Sequence, residues 1–211
     1  MINSLLNTAL QQKILPAVTF SSLDDALPVA EAILKGGLQV IEIPFRTGVT
    51  GAAISAIRKK FPEMYIGAGT LLSINQLKQA VDAGAQFGLA PGFNPTVCKT
   101  SIQINLPFIP GVMTPSEIEM AAEMGFIILK LFPAAPLDGI GFLKALQSPY
   151  EQLQTRFIPM GGVSVKNMKQ YLQLKNVIAV GGSWLATEEL MVTKQFGKIT
   201  EQVIEALNCV F

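Results

Sequence analysis

The chain has 211 residues, half of them apolar, and its 16 basic and 15 acidic side chains give a formal net charge of +1. This length suffices for one sizeable domain, and the absence of any charged block argues against nucleic acid or an anionic membrane as a partner. The chain contains no histidine. That excludes His-dependent catalytic triads and argues against a zinc site, so we expect no metal.

Eight short apolar runs recur at intervals of about 20 to 30 residues, and each is typical of a buried β-strand. In chain order they are ILPAVTF (14–20), VIEIPF (40–45), YIGAGT (65–70), FGLAPG (87–92), FIPGVM (108–113), IILKLF (127–132), RFIPMG (156–161) and VIAVGG (177–182). The stretches between them have helical patterns, and several begin at Ser or Thr and end at Gly, as capped helices do. A further short amphipathic helix is predicted before the first run, in MINSLLNTALQQK.

Strict alternation of strand and helix predicts parallel βαβ units. Eight such units in a chain of this length predict an α/β fold, a (β/α)₈ TIM barrel that forms a single domain over residues 1–211. An open doubly wound sheet is the alternative. It is disfavoured because the spacing stays even and no glycine fingerprint follows the first strand.

Nothing in the sequence predicts a secreted or membrane-spanning chain. The N-terminal segment lacks the basic start and the small-residue cleavage site of a signal peptide, and the longer uncharged stretches are interrupted by Pro, Gly and polar residues. Cys98 and Cys209 share no motif and are expected to be reduced thiols. We therefore expect a cytoplasmic protein.

Lys130 lies within the apolar run GFIILKLFPA, which is an unusual place for a charged side chain. One interpretation is structural: the stem is buried and the ammonium reaches solvent at a strand end. The other is catalytic, since an amine that attacks a carbonyl must be neutral, and burial in general favours the neutral form of lysine. In a TIM barrel, catalytic groups lie at the carboxyl ends of the strands, which is where Lys130 is expected.

Glu42 occupies an equally apolar run, and the period of two places it on one strand face with Pro44 and Arg46. It could form a purely structural ion pair with Arg46 or Lys130. Taken together, however, the three charged residues supply a nucleophile, a group that moves protons and a clamp for an anion.

Paired glycines follow the seventh and eighth strands, at Gly161 and Gly162 and at Gly181 and Gly182, and Ser183 comes next. Late-strand loops of TIM barrels commonly bind phosphate through backbone N–H groups and the start of a short helix. A single Gly-Gly pair usually marks only a turn. Two of them after consecutive strands favour a phosphate site, with Ser183 expected to open the short helix.

Seven motifs in order along nearly the whole chain resemble the aldolases for 2-keto-3-deoxy-6-phosphogluconate (KDPG) and 4-hydroxy-2-oxoglutarate (KHG). They are EIPFRT, IGAGTLL, GAQFGLAPG, PGVMTPSE, LKLFPA, GGVS and GGSWL. The resemblance implies a class I aldolase that works through a covalent imine on lysine, needs no cofactor or metal, takes a small keto acid as substrate and assembles as a homotrimer.

The same resemblance implies a role for each matching residue. Lys130 would be the Schiff-base lysine and Glu42 the proton shuttle, while Arg46 and Thr70 would hold the substrate carboxylate. The phosphate loops fall on Gly161, Gly162, Gly182 and Ser183, and the apolar substrate wall on Pro91 and Phe132, with Met160 beside it.

Three positions depart from the family pattern. Met160 stands where a threonine is usual, Ala135 replaces an acidic residue, and Thr19, Phe20 and Ser21 follow the first strand where many members have a basic residue. These departures concern the distal part of the substrate and leave Lys130, Glu42 and Arg46 unaffected. From Met160 we expect reduced discrimination at the hydroxyl-bearing carbon, unless its side chain only fills space.

The leading functional hypothesis is retro-aldol cleavage of a 2-keto-4-hydroxy acid to pyruvate and an aldehyde. Two alternatives remain. One is a phosphosugar isomerase or phosphate-dependent synthase, which would use the glycine loops and leave Lys130 without a covalent role. The other is a non-catalytic barrel that binds keto acids or a partner protein.

Overall fold

Eight parallel strands form a central ring in the computed structural model, which describes residues 4–210. The fifth strand is divided by Pro110 into two segments. The strands are β1 (Ile14–Pro16), β2 (Val40–Pro44), β3 (Tyr65–Gly69), β4 (Phe87–Leu89), β5 (Phe108–Ile109 and Gly111–Val112), β6 (Ile128–Leu131), β7 (Arg156–Pro159) and β8 (Val180–Gly182). Each lies within one of the eight runs that the sequence predicts as strands.

One helix precedes the first strand, and the other helices follow the strands in chain order. They are α1 (Ser4–Leu10), α2 (Ala26–Lys35), α3 (Thr50–Lys60), α4 (Ile74–Asp82), α5 (Pro95–Gln103), α6 (Pro115–Glu123), α7 (Gly139–Leu146), α8 (Met168–Leu172), α9 (Glu188–Val192) and α10 (Phe196–Val210). Short 3₁₀ helices occur at Leu23–Asp25, Ala135–Leu137 and Glu151–Leu153. The predicted helix before the first strand corresponds to α1.

Backbone pairing runs around the whole ring. Strands β2, β3, β4 and the first segment of β5 pair in that order, the second segment of β5 continues to β6 and β7, and β8 pairs with β1. Single bridges join Ala17 to Glu42 and Phe157 to Val177, and the Ile178 N–H donates to the Phe157 carbonyl at 3.0 Å. The predicted (β/α)₈ barrel is therefore confirmed, and the open sheet is excluded.

Apolar side chains pack on both sides of the strand ring. The larger cluster lies between strands and outer helices and includes Ile41 and Ile43 of β2. The smaller cluster fills the barrel interior, with side chains from several strands and from α1: Leu6, Ala9, Leu10, Leu15, Val40, Phe87, Leu89, Ile109, Ile128, Ile158, Met160 and Ala179. Because α1 leads directly into β1, its buried face closes the amino end of the barrel.

Local sequence signals account for several helix boundaries. Thr114 and Glu117 form a capping box at α6, where the Thr114 hydroxyl accepts from the Glu117 N–H at 3.3 Å and the carboxylate accepts from the Thr114 N–H at 2.9 Å. Ser73 caps α4, where its hydroxyl accepts from the Gln76 N–H at 3.2 Å. Gly84 and Gly125 follow α4 and α6 at φ of +92° and +86°, the left-handed conformation that ends helices and favours glycine.

Candidate active site

Lys130 and Glu42 meet inside the barrel, although 88 residues separate them in the chain. The Lys130 Nζ lies 3.5 Å from the Glu42 Oε1, and the two side chains are 6% and 1% exposed. The second carboxylate oxygen, Oε2, is buried without a hydrogen-bond partner among the described residues. Since a buried acceptor without a protein partner costs free energy, this arrangement is more typical of a functional site than of a structural ion pair.

The strand pattern explains why these two side chains face inward. Ile41 and Ile43 flank Glu42 and pack in the outer cluster, so the alternate residue between them points to the interior. Lys130 is likewise flanked by Leu129 and Leu131, which belong to the outer cluster. Both polar residues therefore occupy interior positions among apolar neighbours.

Phe132 forms an apolar wall beside the lysine. Its ring centroid lies 5.3 Å from the Lys130 Nζ, within the range of a cation–π contact. The ring also lies against Gly161, where a Cβ atom would come within 3.0 Å of the Phe132 Cε2. At the end of β4, Pro91 is half-buried and packs against the backbone of Gly111.

Arg46 and Thr70 lie just beyond the ends of β2 and β3. Arg46 is exposed and falls in the turn after Pro44, whose carbonyl accepts from the Arg46 N–H at 2.8 Å. Thr70 has φ of +57°, which is rare for a β-branched residue and is found where a site demands a particular backbone shape. Within residues 4–210, neither side chain bonds to Lys130 or Glu42, so the structure does not join this predicted clamp to the pair directly.

The glycine loop after β7 has a backbone that other residues would adopt only with strain. Gly161 and Gly162 have φ of +85° and +75°. The loop is held from both sides: the Ala135 N–H donates to the Gly161 carbonyl at 2.9 Å, and the Asn167 amide donates to the Gly162 carbonyl at 3.0 Å. This geometry accounts for both glycines and fixes the loop at the mouth of the barrel.

The loop after β8 differs from its prediction in one respect. Ser183 does not open a helix, because α9 begins at Glu188 and is capped by the Thr187 hydroxyl, which accepts from the Leu190 N–H at 3.4 Å. Ser183 is instead exposed in a bend directly after Gly182. Of the WLAT sequence that follows it, Trp184 and Leu185 form a turn, and Ala186 and Thr187 lead to the start of α9.

Trp184 belongs to the loop after β8, and its ring packs back against Gly182. A Cβ at Gly182 would come within 2.6 Å of the Trp184 ring, and the indole Nε1 is buried without a partner among the described residues. The glycine is therefore required by the close approach of the indole. Trp184 is the sole tryptophan of the sequence and so reports on this loop.

The three positions that depart from the family pattern have separate surroundings. Met160 is 3% exposed and belongs to the interior cluster, with its methyl group against Gly181. Ala135 packs on Gly162. Phe20 is buried in the outer cluster, and the neighbouring Ser21 hydroxyl donates to the Glu188 carboxylate at 3.4 Å.

A cavity of about 630 Å³ lies at the opposite end of the barrel, where Ile127 precedes β6 and Arg156 begins β7. None of the predicted site residues lines it. The carboxyl ends of the strands are where TIM barrels place their chemistry, so this cavity is not the candidate active site.

Two further features are absent from residues 4–210. No cluster of three or more His, Cys, Asp or Glu side chains with the geometry of a metal site occurs there. In the same part of the chain, no helix has the length and hydrophobicity to span a membrane.

Comparison with known proteins identifies the family of the chain. Residues 4–202 match the family model described as "Aldolase: KDPG and KHG aldolase". The 2-dehydro-3-deoxy-phosphogluconate aldolase of Treponema pallidum is 38% identical over 198 residues, which cover 94% of this chain and 93% of that protein. The KHG/KDPG aldolase of Escherichia coli K12 is 37% identical over 195 residues, with 92% and 91% covered.

A solved structure gives the same result at the level of the fold. The KDPG aldolase of Legionella pneumophila, crystallised with pyruvate captured as a covalent carbinolamine intermediate, superposes with a TM-score of 0.90 at 37% identity and covers 94% of this chain and 96% of its own. Identity of this extent, together with the family match over nearly the whole length, leads to one conclusion. The chain belongs to the KDPG and KHG aldolase family.

Proposed function

We propose that this protein is a class I aldolase, a lyase that cleaves 2-keto-3-deoxy-6-phosphogluconate to pyruvate and glyceraldehyde 3-phosphate. We propose 4-hydroxy-2-oxoglutarate, which would give pyruvate and glyoxylate, as a second substrate. The observation that carries the proposal is the buried pair of Lys130 and Glu42, with Nζ 3.5 Å from Oε1. The names of the relatives support the choice of substrates.

In the proposed reaction, Lys130 is the nucleophile. Its amine adds to the keto carbon, and loss of water gives a protonated imine that accepts the electron pair of the breaking carbon–carbon bond. Glu42 moves the protons: it protonates the departing hydroxyl of the carbinolamine and, directly or through water, takes the proton of the 4-hydroxyl as the bond breaks. The resulting enamine is protonated and hydrolysed, which releases pyruvate and regenerates the amine without a cofactor.

The position of Glu42 supports this assignment. No histidine is present to take the role, and the buried Oε2 without a partner leaves one oxygen free to bind a substrate hydroxyl or water while Oε1 faces the amine. A carboxylate in this setting can both donate a proton to and accept a proton from the substrate hydroxyls.

Arg46 and Thr70 are proposed to hold the substrate carboxylate. A guanidinium presents two parallel donors that match a carboxylate, and the exposed Arg46 has no hydrogen bond or ion pair from its side chain elsewhere in residues 4–210. The strained backbone of Thr70 fits a residue that is held for binding. Pro91 and Phe132 would form the apolar wall on either side of the pyruvyl group.

The glycine loops are proposed to bind the phosphate. The left-handed Gly161 and Gly162 would supply backbone N–H groups to the ligand, and Ser183, directly after Gly182, would add its hydroxyl. The three glycines carry no Cβ atom that would hold the ligand away. We propose that Met160 lies next to the hydroxyl-bearing carbons of the substrate. Its place in the interior beside Phe132 supports this role.

We also propose a homotrimer in the cytoplasm. The family resemblance of the sequence supports the trimer. The two cysteines are free, as is usual for proteins of reducing compartments.

The central test is covalent trapping. The protein is incubated with pyruvate and borohydride, and the mass and the modified peptide are determined; we expect one stable adduct on Lys130. The Lys130→Ala variant should lose trapping and cleavage together, while Lys144→Ala, an exposed lysine on α7, should retain both. Normal trapping by Lys130→Ala would refute the assignment, and an absence of trapping in the wild type would favour the isomerase or non-catalytic alternatives.

A further inference from the structure

The last residue of β3, Gly69, lies directly against the carboxylate of Glu42. If Gly69 carried a Cβ, that atom would be 1.9 Å from the Glu42 Oε1, 2.7 Å from its Cδ and 2.8 Å from its Cγ. These are the three nearest atoms to the added carbon, and all belong to the same side chain. The Glu42 carboxylate therefore occupies the space that any other residue at this position would fill.

The backbone at this position does not require glycine. Gly69 belongs to a regular strand and pairs in register with Pro44 of β2, and its φ lies outside the left-handed range. Alanine could adopt this backbone without strain, so the need for glycine is a matter of space alone. A glycine within a strand commonly marks such a close approach.

The neighbouring interior glycine of β3 serves a different side chain. Gly67 pairs with Glu42 in register, yet a Cβ there would meet the Phe87 ring at 2.3 Å. The two interior glycines thus leave two separate spaces, one for an aromatic ring of the core and one for the carboxylate. Because the Phe87 ring fills the space beside Gly67 and the Glu42 side chain is only 1% exposed, the carboxylate has little room to move.

We infer that Gly69 is a positioning residue of the aldol reaction, because its lack of a side chain provides the slot that holds the Glu42 carboxylate beside Lys130. The inference rests on the proposed function and extends it to a residue that does not itself touch the reacting atoms. A methyl group at position 69 would have to reach ordinary contact at 3.4 Å, which requires Oε1 to move by about 1.5 Å. Displacements of about 1 Å in a catalytic group can lower the rate about 10²-fold.

The test is a double-variant cycle with steady-state kinetics and denaturant unfolding. Gly69→Ala should lower kcat about 10²-fold, with a much smaller change in KM because the proposed carboxylate and phosphate contacts are untouched. In the Glu42→Ala background the carboxylate that the added methyl group would clash with is absent. Glu42→Ala and Glu42→Ala/Gly69→Ala should therefore have equal kcat. Gly48→Ala is the matched control, since a Cβ at Gly48 meets nothing within 4 Å, and it should behave as the wild type.

Two further readouts separate positioning from a general loss of structure. The denaturant midpoint should fall for Gly69→Ala in the wild-type background and should not fall in the Glu42→Ala background. The part of the kcat–pH profile that is lost in Glu42→Ala should move along the pH axis in Gly69→Ala. Partial unfolding would instead lower kcat by the same factor at every pH and leave the shape of the profile unchanged.

The results would overturn the inference if Gly69→Ala retained wild-type kcat, or if it lowered kcat equally in both backgrounds. Failure of the proposed function is recognised separately, because it would appear as a wild type that neither cleaves the keto acid nor forms the borohydride adduct.

Discussion

Replacing Met160 by threonine tests whether this side chain limits substrate discrimination. The methionine is 3% exposed, and its methyl group packs against Gly181. The shorter threonine loses about two apolar groups from the interior, at about 0.8 kcal/mol each, and leaves a small cavity. We therefore expect Met160→Thr to lower the free energy of unfolding by about 2–3 kcal/mol.

The substitution adds a hydroxyl that can form a hydrogen bond with a substrate hydroxyl, whereas the thioether of methionine is only a weak acceptor. One hydrogen bond is worth about 0.5–1.5 kcal/mol, or roughly 2- to 13-fold in rate if it forms only in the transition state. The selectivity between keto acids that are epimeric at the hydroxyl-bearing carbon should therefore rise by that factor in the variant, from a low value in the wild type.

The assay compares kcat/KM for the two epimeric six-carbon phosphorylated keto acids, with pyruvate release followed by reduction with lactate dehydrogenase. Met64→Thr is the control, because Met64 is a fully buried methionine at the amino end of the barrel. It should lose stability without a change in selectivity. High selectivity in the wild type that persists in Met160→Thr would refute the reasoning and show that Met160 only fills volume.

Three further predictions concern the pair, the clamp and the thiols. Glu42→Gln should slow turnover by about 10²–10⁴-fold while slow trapping by pyruvate and borohydride persists; wild-type turnover would exclude Glu42 as the proton shuttle. Arg46→Lys should raise KM and lower kcat/KM for pyruvate-type substrates, because a lysine cannot form the two-donor fork; unchanged kinetics would mean that the carboxylate is held elsewhere. Burial raises the pKa of the Cys98 thiol to about 11, so at pH 8 a disulfide reagent should modify the half-buried Cys209 and spare Cys98. Rapid reaction of both thiols would contradict that placement.

The sequence predicts the barrel well because its signal is local. Each buried strand is a short apolar run between turn residues, and that pattern does not depend on distant contacts. The interruption of β5 at Pro110 could be anticipated only in part: the run FIPGVM shows the proline, which lacks an N–H to donate, but the pairing on either side depends on the neighbouring strands.

The site is predictable in part, since the period of two places Glu42 and Lys130 on interior faces. Their 3.5 Å separation is not predictable, because it depends on how strands that are 88 residues apart come to face each other across the barrel. The slot at Gly69 and the left-handed Thr70 were missed for the same reason. The GAGT motif does offer a signal, because closely spaced glycines in a strand suggest that another group approaches the backbone closely. The motif does not say which side chain that group belongs to.

Helix α1, with Leu6 and Leu10 packed into the amino end of the barrel, gives the interior a closed floor and a single mouth. Under the proposed reaction, the pyruvyl group is tethered to Lys130 at depth while the aldehyde fragment lies toward the rim. The aldehyde must then depart before the enamine can be hydrolysed and released. Release would be ordered, so pyruvate should compete with the keto acid for the free enzyme, whereas the aldehyde should inhibit without competing.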